Sequence, residues 1–394
     1  MIFGSTIAYT YYQLIRITNL YVSTSKRIEV LVPDDPATNP APAGVRRPRR
    51  QPTQIDLARH AGVSQATVSQ VVNETPERPA RLTPETRQRV LDAIADLGYR
   101  ANPAARSLKG KQNRLLGLYA FEPVFPVDQR DFYFPFLLGV EEEVARQGYD
   151  LVLFSSAVAG ARRPIFVEGV NRLRLADGAV LLGRHMSRED LAELVEEDFP
   201  FVFIGRRELG STPLSYVGAD YVTATCRFVG RFAELGHRRI AFLRQPGDSE
   251  PTADRESGYL QGLAAAGLGD PITHEGAFTT ADLRALLDAG VTALLAEPTE
   301  DDRIAADVEA AAAELGVTIP EDLSVGLLGD PTWSLSANDW TRFAVPRPEM
   351  GRRAVRLLIE LLEHGHDIAR QDLVACDYIA GETLSRPPRA GGRP

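Results

Sequence analysis

Residues 57–73 read LARHAGVSQATVSQVVN: two short amphipathic pieces joined through a glycine, the second turning a row of small polar side chains outward. Those side chains are Ser64, Gln65, Thr67, Ser69, Gln70 and Asn73, with Ala66 among them. The row contains neither an acid–base pair nor a nucleophile beside a base, so it carries no catalytic chemistry of its own. Side-chain hydroxyls and amides at this spacing suit hydrogen bonds to base edges and phosphates in a DNA groove, and Ala66 can offer apolar contact to a thymine methyl.

Two helices must position that row. Ile55, Leu57, Ala58 and Ala61 recur at helical spacing and supply an inner face for the first. Gly62 permits a left-handed turn, Ser64 is placed to cap the second helix, and Val68, Val71 and Val72 form its inner face. Small Ala58 ahead of the turn lets the pair cross closely, a helix-turn-helix. A third helix is expected in residues 82–99, with Thr83 as cap, Pro84 opening and Gly98 stopping it; Val90, Leu91, Ile94 and Leu97 make its stripe. Residues 102–114 read NPAARSLKGKQNR. Asn102 can cap a helix of about two turns containing Ala105, Arg106, Leu108 and Lys109, too short to be stable alone. It should order only on DNA, its cations on phosphates and Leu108 wedged between base steps of the minor groove.

The charge follows the same division. The net charge of −9 over 394 residues separates into +8 for residues 45–114, zero for residues 1–44 and −17 for residues 115–394. A basic head on an acidic body implies a polyanionic partner for the head alone. Residues 1–52 read as a disordered, Pro-rich leader, and a translation start near Val45 is the expectation. The uncharged opening is too short for a membrane span and lacks the flanks of a signal peptide, so a cytoplasmic, nucleoid-associated protein without membrane contact is expected.

Beyond Arg114, short apolar runs alternate with amphipathic helices. Strands are expected at 115–121, 149–155, 178–183, 200–205, 239–244, 293–297 and 324–329. Continuous apolar strands between helices indicate parallel sheets covered on both faces, here divided into two Rossmann-like lobes with a cleft at the strands' carboxyl ends. No strand precedes a G-x-G-x-x-G or a P-loop, so a nucleotide-dependent enzyme is not expected, and no cofactor is implied. His364 and His366 are too few for a metal site. His237 reads as structural, and Cys226 and Cys376 as buried filler.

These motifs together, from Ala58, Gly62, Val63 and Ser64 through Gly98, Tyr99, Asn102, Pro103 and Leu108, resemble the DNA-binding head and hinge of the LacI/GalR family of bacterial transcriptional regulators. The connection at 74–82 is several residues longer than usual for that family. The resemblance implies an all-α helix-turn-helix head on a periplasmic-binding-protein-like α/β body. It also implies a homodimer reading a palindromic operator, with a sugar-like effector in the cleft and DNA binding coupled to it. The expected divisions are a leader at 1–52, a head at 53–101, a hinge at 102–114, an effector and dimerisation domain at 115–388 and a tail at 389–394. Within the body, lobe one takes about 115–218 and 340–372, and lobe two takes 219–339 and 373–388. Base-reading positions of the family fall on Gln65, Ala66 and Gln70.

For the effector, Arg255 matches a family position whose arginine commonly binds it; an ion pair is the alternative. Arg206 ends another strand. Phe132, Tyr133 and Phe136 either stack on a ligand or pack beneath the first helix of the body. Gly329 stands where a ligand-binding Asp is common in the family, Asp330 remains beside it, and Trp333 is placed to stack on a sugar.

Overall fold

The computed structural model describes residues 52–72, 82–99, 113–122, 130–154, 157–158, 161–162, 164–298, 303–330, 338–365 and 368–388. Residues 1–51 of the leader, Asn73, nearly all of the hinge, Trp333 and the tail lie outside these residues. The chain divides into two compact units at Arg100.

The first unit holds three helices, α1 (Gln54–Ala61), α2 (Gln65–Val72) and α3 (Pro84–Leu97). A capping box starts α1: Thr53 N donates to Asp56 Oδ2 at 2.8 Å, and Asp56 N donates to Thr53 Oγ1 at 3.3 Å. Gly62 ends α1 at φ 65°, where a Cβ would be strained. Thr83 caps α3 and Gly98 closes it. Leu57, Ala58, Ala61, Val68, Val71, Val90 and Ala93 form the core. Ile55, expected on the inner face, is 49 % exposed instead. It lies two residues before Leu57, on the opposite side of the first turn.

The second unit opens with β1 (Leu115–Ala120), α4 (Arg130–Arg146), β2 (Asp150–Phe154), two small hairpins, β3 (Ala157–Val158) with β4 (Ala161–Arg162) and β5 (Phe166–Val167) with β6 (Val170–Asn171), and β7 (Gly178–Leu182). It continues with α5 (Arg188–Glu196), β8 (Phe201–Ile204), β9 (Tyr216–Ala219), α6 (Tyr221–Leu235), β10 (Ile240–Arg244), α7 (Glu250–Ala265), β11 (Ile272–Glu275) and α8 (Thr280–Asp288). The remainder is β12 (Ala293–Ala296), α9 (Ile304–Leu315), β13 (Ser324–Leu327), β14 (Arg342–Ala344), α10 (Arg347–His364), β15 (Gln371–Val374) and β16 (Asp377–Ile379).

These strands build two six-stranded sheets, ordered β15-β9-β8-β7-β1-β2 and β11-β10-β12-β13-β14-β16. All pairings are parallel except β14 with β16. The central strands are buried along their whole length, which is why they read as unbroken apolar runs. The chain passes between sheets three times: after β9, between β14 and α10, and between β15 and β16. The middle crossing falls later than the boundary at 340 drawn from sequence. Residues 340–346 include β14, which pairs with β13 in the second sheet while Trp340 joins that lobe's core. A three-residue strand shows no periodicity that could have placed it. Likewise β15 extends to Val374, two residues past the boundary at 372.

His237, at the turn between α6 and β10, is 1 % exposed. Its Nε2 lies 2.9 Å from the Ser385 carbonyl and its Nδ1 2.9 Å from Thr292 Oγ1. The carbonyl can only accept, so Nε2 carries the proton and the Thr292 hydroxyl donates to Nδ1. Burial lowers the pKa of this imidazole below the ordinary histidine value. The native ring therefore stays neutral where the unfolded ring binds a proton. The stability it contributes is present above about pH 6.5 and is lost as pH falls below that. The thermal midpoint should fall between about pH 7.5 and about pH 5.5, and His237→Gln should flatten that dependence; an unchanged slope in the variant contradicts the assignment. Both cysteines are free and partly buried, and burial pushes the Cys376 thiol up to about 12.

Candidate nucleic-acid interface and ligand cleft

On the first unit, Val68 and Val71 fix α2 against α1 and α3, which sets the opposite face outward. Gln65, Ala66 and Gln70 are exposed, and Thr67 and Ser69 half-buried. Ser64 is exposed and serves as the cap: Thr67 N donates to its Oγ at 3.1 Å, and the two hydroxyls lie 2.8 Å apart. No acid stands on this face. Asn73, Asn102, Ala105, Arg106, Leu108 and Lys109 lie outside the described residues.

In the second unit, a cleft of about 1300 Å³ runs between the sheets at the carboxyl ends of their parallel strands. Lobe one supplies Gly183 and Arg184 after β7, Arg206 and Arg207 after β8, and Phe132 and Phe136 from α4. Lobe two supplies the first turns of α7, Glu297 and Pro298 after β12, and Gly329 and Asp330 after β13. Of the expected residues, Phe132, Phe136, Arg206, Arg255 and Asp330 come together here. Tyr133 does not line the cleft: it is fully buried, and its hydroxyl donates to Glu122 Oε2 at 2.8 Å. Burial and the neighbouring Glu122 carboxylate raise its pKa well above the usual phenol. The Phe132 ring lies under two guanidiniums, Arg184 at 4.0 Å and Arg347 at 5.2 Å from its centre.

Arg255 is not at the surface. Its side chain is 8 % exposed and Nη1 lies 3.0 Å from Glu297 Oε1, itself 3 % exposed. Nε donates to the Leu328 carbonyl at 3.1 Å, and the guanidinium stacks over Tyr221 at 3.9 Å. Glu297 also accepts from Thr252 Oγ1 at 2.8 Å and from Gln245 N at 3.0 Å. Arg206 joins the lobes. Its Nε donates to Asp254 Oδ2 at 2.9 Å and its Nη2 lies 2.9 Å from Oδ1, both on α7. Glu208 is its neighbour within lobe one. Glu250, one turn before Asp254, lies 3.7 Å from Arg188 and 3.8 Å from Arg207. The Asp330 carboxylate holds Arg342 Nε at 3.4 Å, Arg347 Nη1 at 3.1 Å and Val345 N at 3.2 Å. Arg207, Arg347, Glu250, Asp254 and Glu297 were not singled out from sequence. The doubled arginine after β8 and the acid at the end of a predicted strand were the available signals. Among the described residues no group of three His, Cys, Asp or Glu side chains could hold a metal ion, and no helix is long and apolar enough to cross a membrane.

Residues 54–102 match the family described as bacterial regulatory proteins, lacI family, and residues 229–384 match the periplasmic binding protein-like domain. The HTH-type transcriptional regulator CelR of Thermobifida fusca is 32 % identical over 331 residues, covering 79 % of this chain and 92 % of that protein. Catabolite control protein A of Priestia megaterium is 28 % identical, with the same two coverages. Among solved structures, a transcriptional regulator CelR–cellobiose complex aligns with a TM-score of 0.53 at 27 % identity, over 84 % of this chain and 99 % of that one. The lac repressor dimer bound to operator and the anti-inducer ONPF aligns at 0.59 with 22 % identity, over 85 % and 100 %, a likeness of fold. With its helix-turn-helix head, its two-lobed body and a relative this similar over most of both chains, the chain belongs to the lacI family of bacterial regulatory proteins and is a DNA-binding transcriptional regulator.

Proposed function

We propose that this regulator is a repressor that binds a palindromic operator as a homodimer and answers to a sugar or sugar derivative held between the lobes. The observation that carries this reading is the 1300 Å³ cleft at the carboxyl ends of both sheets, in a chain whose head presents an acid-free polar helix face. CelR's solved complex holds cellobiose, and the lac repressor's is a dimer on operator; both support the reading by analogy. Gln65, Ala66 and Gln70 read bases in the major groove, and Ser64, Thr67, Ser69 and Asn73 fix the helix on the backbone. Asn102, Ala105, Arg106, Leu108 and Lys109 fold onto the minor groove at the dyad, Leu108 as the wedge. Phe132, Phe136, Arg206, Arg255 and Asp330 face the effector, with Tyr133 supporting from beneath and Trp333 stacking on it. The protein acts in the cytoplasm, on the chromosome, and needs no enzymatic step.

Binding is linkage: a ligand that prefers one lobe arrangement shifts operator affinity, typically by about 1–3 kcal/mol of coupling. The test is a gel shift on DNA upstream of the protein's own gene, with and without a sugar panel. Leu108→Ala should weaken operator binding about tenfold more than it weakens binding to random duplex, since the wedge acts only at the kinkable central step. Equal losses on both duplexes remove the wedge, and no preference for any selected duplex removes the whole reading.

A further inference from the structure

We infer that Asn113, Arg114 and Asp177 form a rigid joint where the hinge leaves lobe one, and that Arg114 and Asp177 are positioning residues for operator recognition. The joint fixes the direction of the chain at its exit, so a hinge that folds on DNA starts from a set geometry. This rests on the reading of residues 102–114 as that hinge.

Arg114 has φ 56°, in the left-handed region that a Cβ disfavours. Among the described residues, the other non-glycine positions with positive φ are Glu168 and Asp198. Glu168 sits in the two-residue turn between β5 and β6, and Asp198 just past the end of α5, where such residues are ordinary. Arg114 stands instead directly ahead of β1, an interior strand. A strained residue persists only where its surroundings over-determine it, and such residues gather where the geometry itself is used.

The surroundings here do so from both sides. β1 lies between β2 and β7 in its sheet, and the chain ahead of it is tied to the start of each neighbour. On the β7 side, Asn113 N donates to Asp177 Oδ1 at 2.7 Å, and Asp177 N donates to the Leu115 carbonyl at 2.8 Å. On the β2 side, Asp150 N donates to the Arg114 carbonyl at 2.9 Å, and the Arg114 guanidinium lies 5.8 Å from the centre of the Tyr149 ring. Burial raises the Tyr149 phenol above its ordinary pKa, and the Glu363 and Asp177 carboxylates push it the same way. The platform under Arg114 is therefore a neutral ring. Asn113 Oδ1 and Asp177 Oδ2 are buried with no hydrogen-bond partner among the described residues, a second cost held at the same place. Asp177 leads into β7, whose other end leads to Gly183 and Arg184 on the cleft. Joint and cleft thus lie at opposite ends of one buried strand of lobe one.

The test compares variants of the full chain on the duplex that the wild-type chain selects from a random-sequence pool, and on random duplex. Arg114→Gly and Arg114→Ala lose the same charge and the same ring contact and differ only in backbone freedom. Glycine adopts this φ without strain, so the glycine variant should melt about 1–2 °C above the alanine variant. It should nevertheless bind the selected duplex about fivefold more weakly, because the freed residue must be fixed again on binding. A purely structural role would order both measurements alike. A lost phosphate contact would lower the salt slope by about one in both variants and leave them equal to each other. Asp177→Ala should cost about tenfold on the selected duplex and less than about twofold on random duplex, while Asp177→Asn, which keeps an oxygen for Asn113 N, should hold most of the affinity. Equal affinity of the two Arg114 variants overturns the joint and leaves the hinge reading standing, as does an Asp177→Asn loss as large as that of Asp177→Ala. A wild-type chain that selects no duplex removes the hinge reading and the joint with it.

Discussion

Arg255→Ala will cost the body of this protein about 3–5 kcal/mol, the penalty for leaving a buried carboxylate without its cation. Glu297 is 3 % exposed and takes its charge compensation from Arg255 at 3.0 Å. Removing the guanidinium also empties the space over Tyr221 and releases the carbonyl of Leu328, the residue that follows β13. At roughly 2 °C per kcal/mol for a unit of this size, the thermal midpoint should drop by about 6–10 °C. The damage is specific to the orphaned charge, so the double variant Arg255→Met with Glu297→Gln should recover most of the loss. A midpoint within about 2 °C of wild type for the alanine variant would falsify this account of the pair. The double variant is also the better probe of function. It should still bind operator, and if Arg255 faces the effector it will no longer respond to one.

Operator affinity should fall about a thousandfold between roughly 50 and 200 mM salt. The head and hinge region carries +8 over residues 45–114, while the body carries −17, so the phosphate contacts are expected from the head and hinge. The proposed dimer, placing about six side chains on phosphates, would release a corresponding number of counterions, which sets a slope near −5 in log affinity against log salt. Fluorescence anisotropy on a labelled duplex measures this directly. A slope shallower than about −2 would mean that recognition rests on something other than the basic head. The acidic body sharpens the effect: its own repulsion from DNA favours docking through the basic head.

The ion pairs between lobes give the cleft a second property. Arg206 and Asp254 are 48 residues apart in sequence and lie on different sheets' margins, yet their side chains meet in a two-point contact at 2.9 Å. Arg188, Arg207 and Glu250 extend the same seam, and burial lowers the Arg207 pKa below that of an exposed guanidinium. Under the proposed function, a ligand between the lobes would change the surroundings of these pairs, and any difference in their strength between lobe arrangements would add to its differential affinity.

The sequence by itself determined the local elements and the two-part character of the chain. The capping box at Thr53, the glycine at 62, the Ser64 cap and the Thr83–Gly98 frame act within a few residues of one another, so residue order alone specifies α1, α2 and α3. The seven strands expected from apolar runs are all present: six lie in the interior of a sheet, and β2, at an edge, carries an apolar run although it is partly exposed. The strands that sequence did not reveal are the four short ones of the two hairpins, β3 to β6, together with β9, β11, β14, β15 and β16. Three of the last five lie at sheet edges, where half-exposed residues break up the apolar signal, and β14 is only three residues long. Only the tertiary structure decided which lobe β14 joins, because that choice depends on its pairing with β13 and β16. It alone decided that Phe132 faces the cleft while Tyr133, one residue later on the same helix, turns into the core toward Glu122. It alone gave Arg255 to Glu297 and Arg206 to Asp254. Propensity and capping are contests among neighbours in sequence. The partners of a charge are chosen by whatever long-range packing brings within about 4 Å.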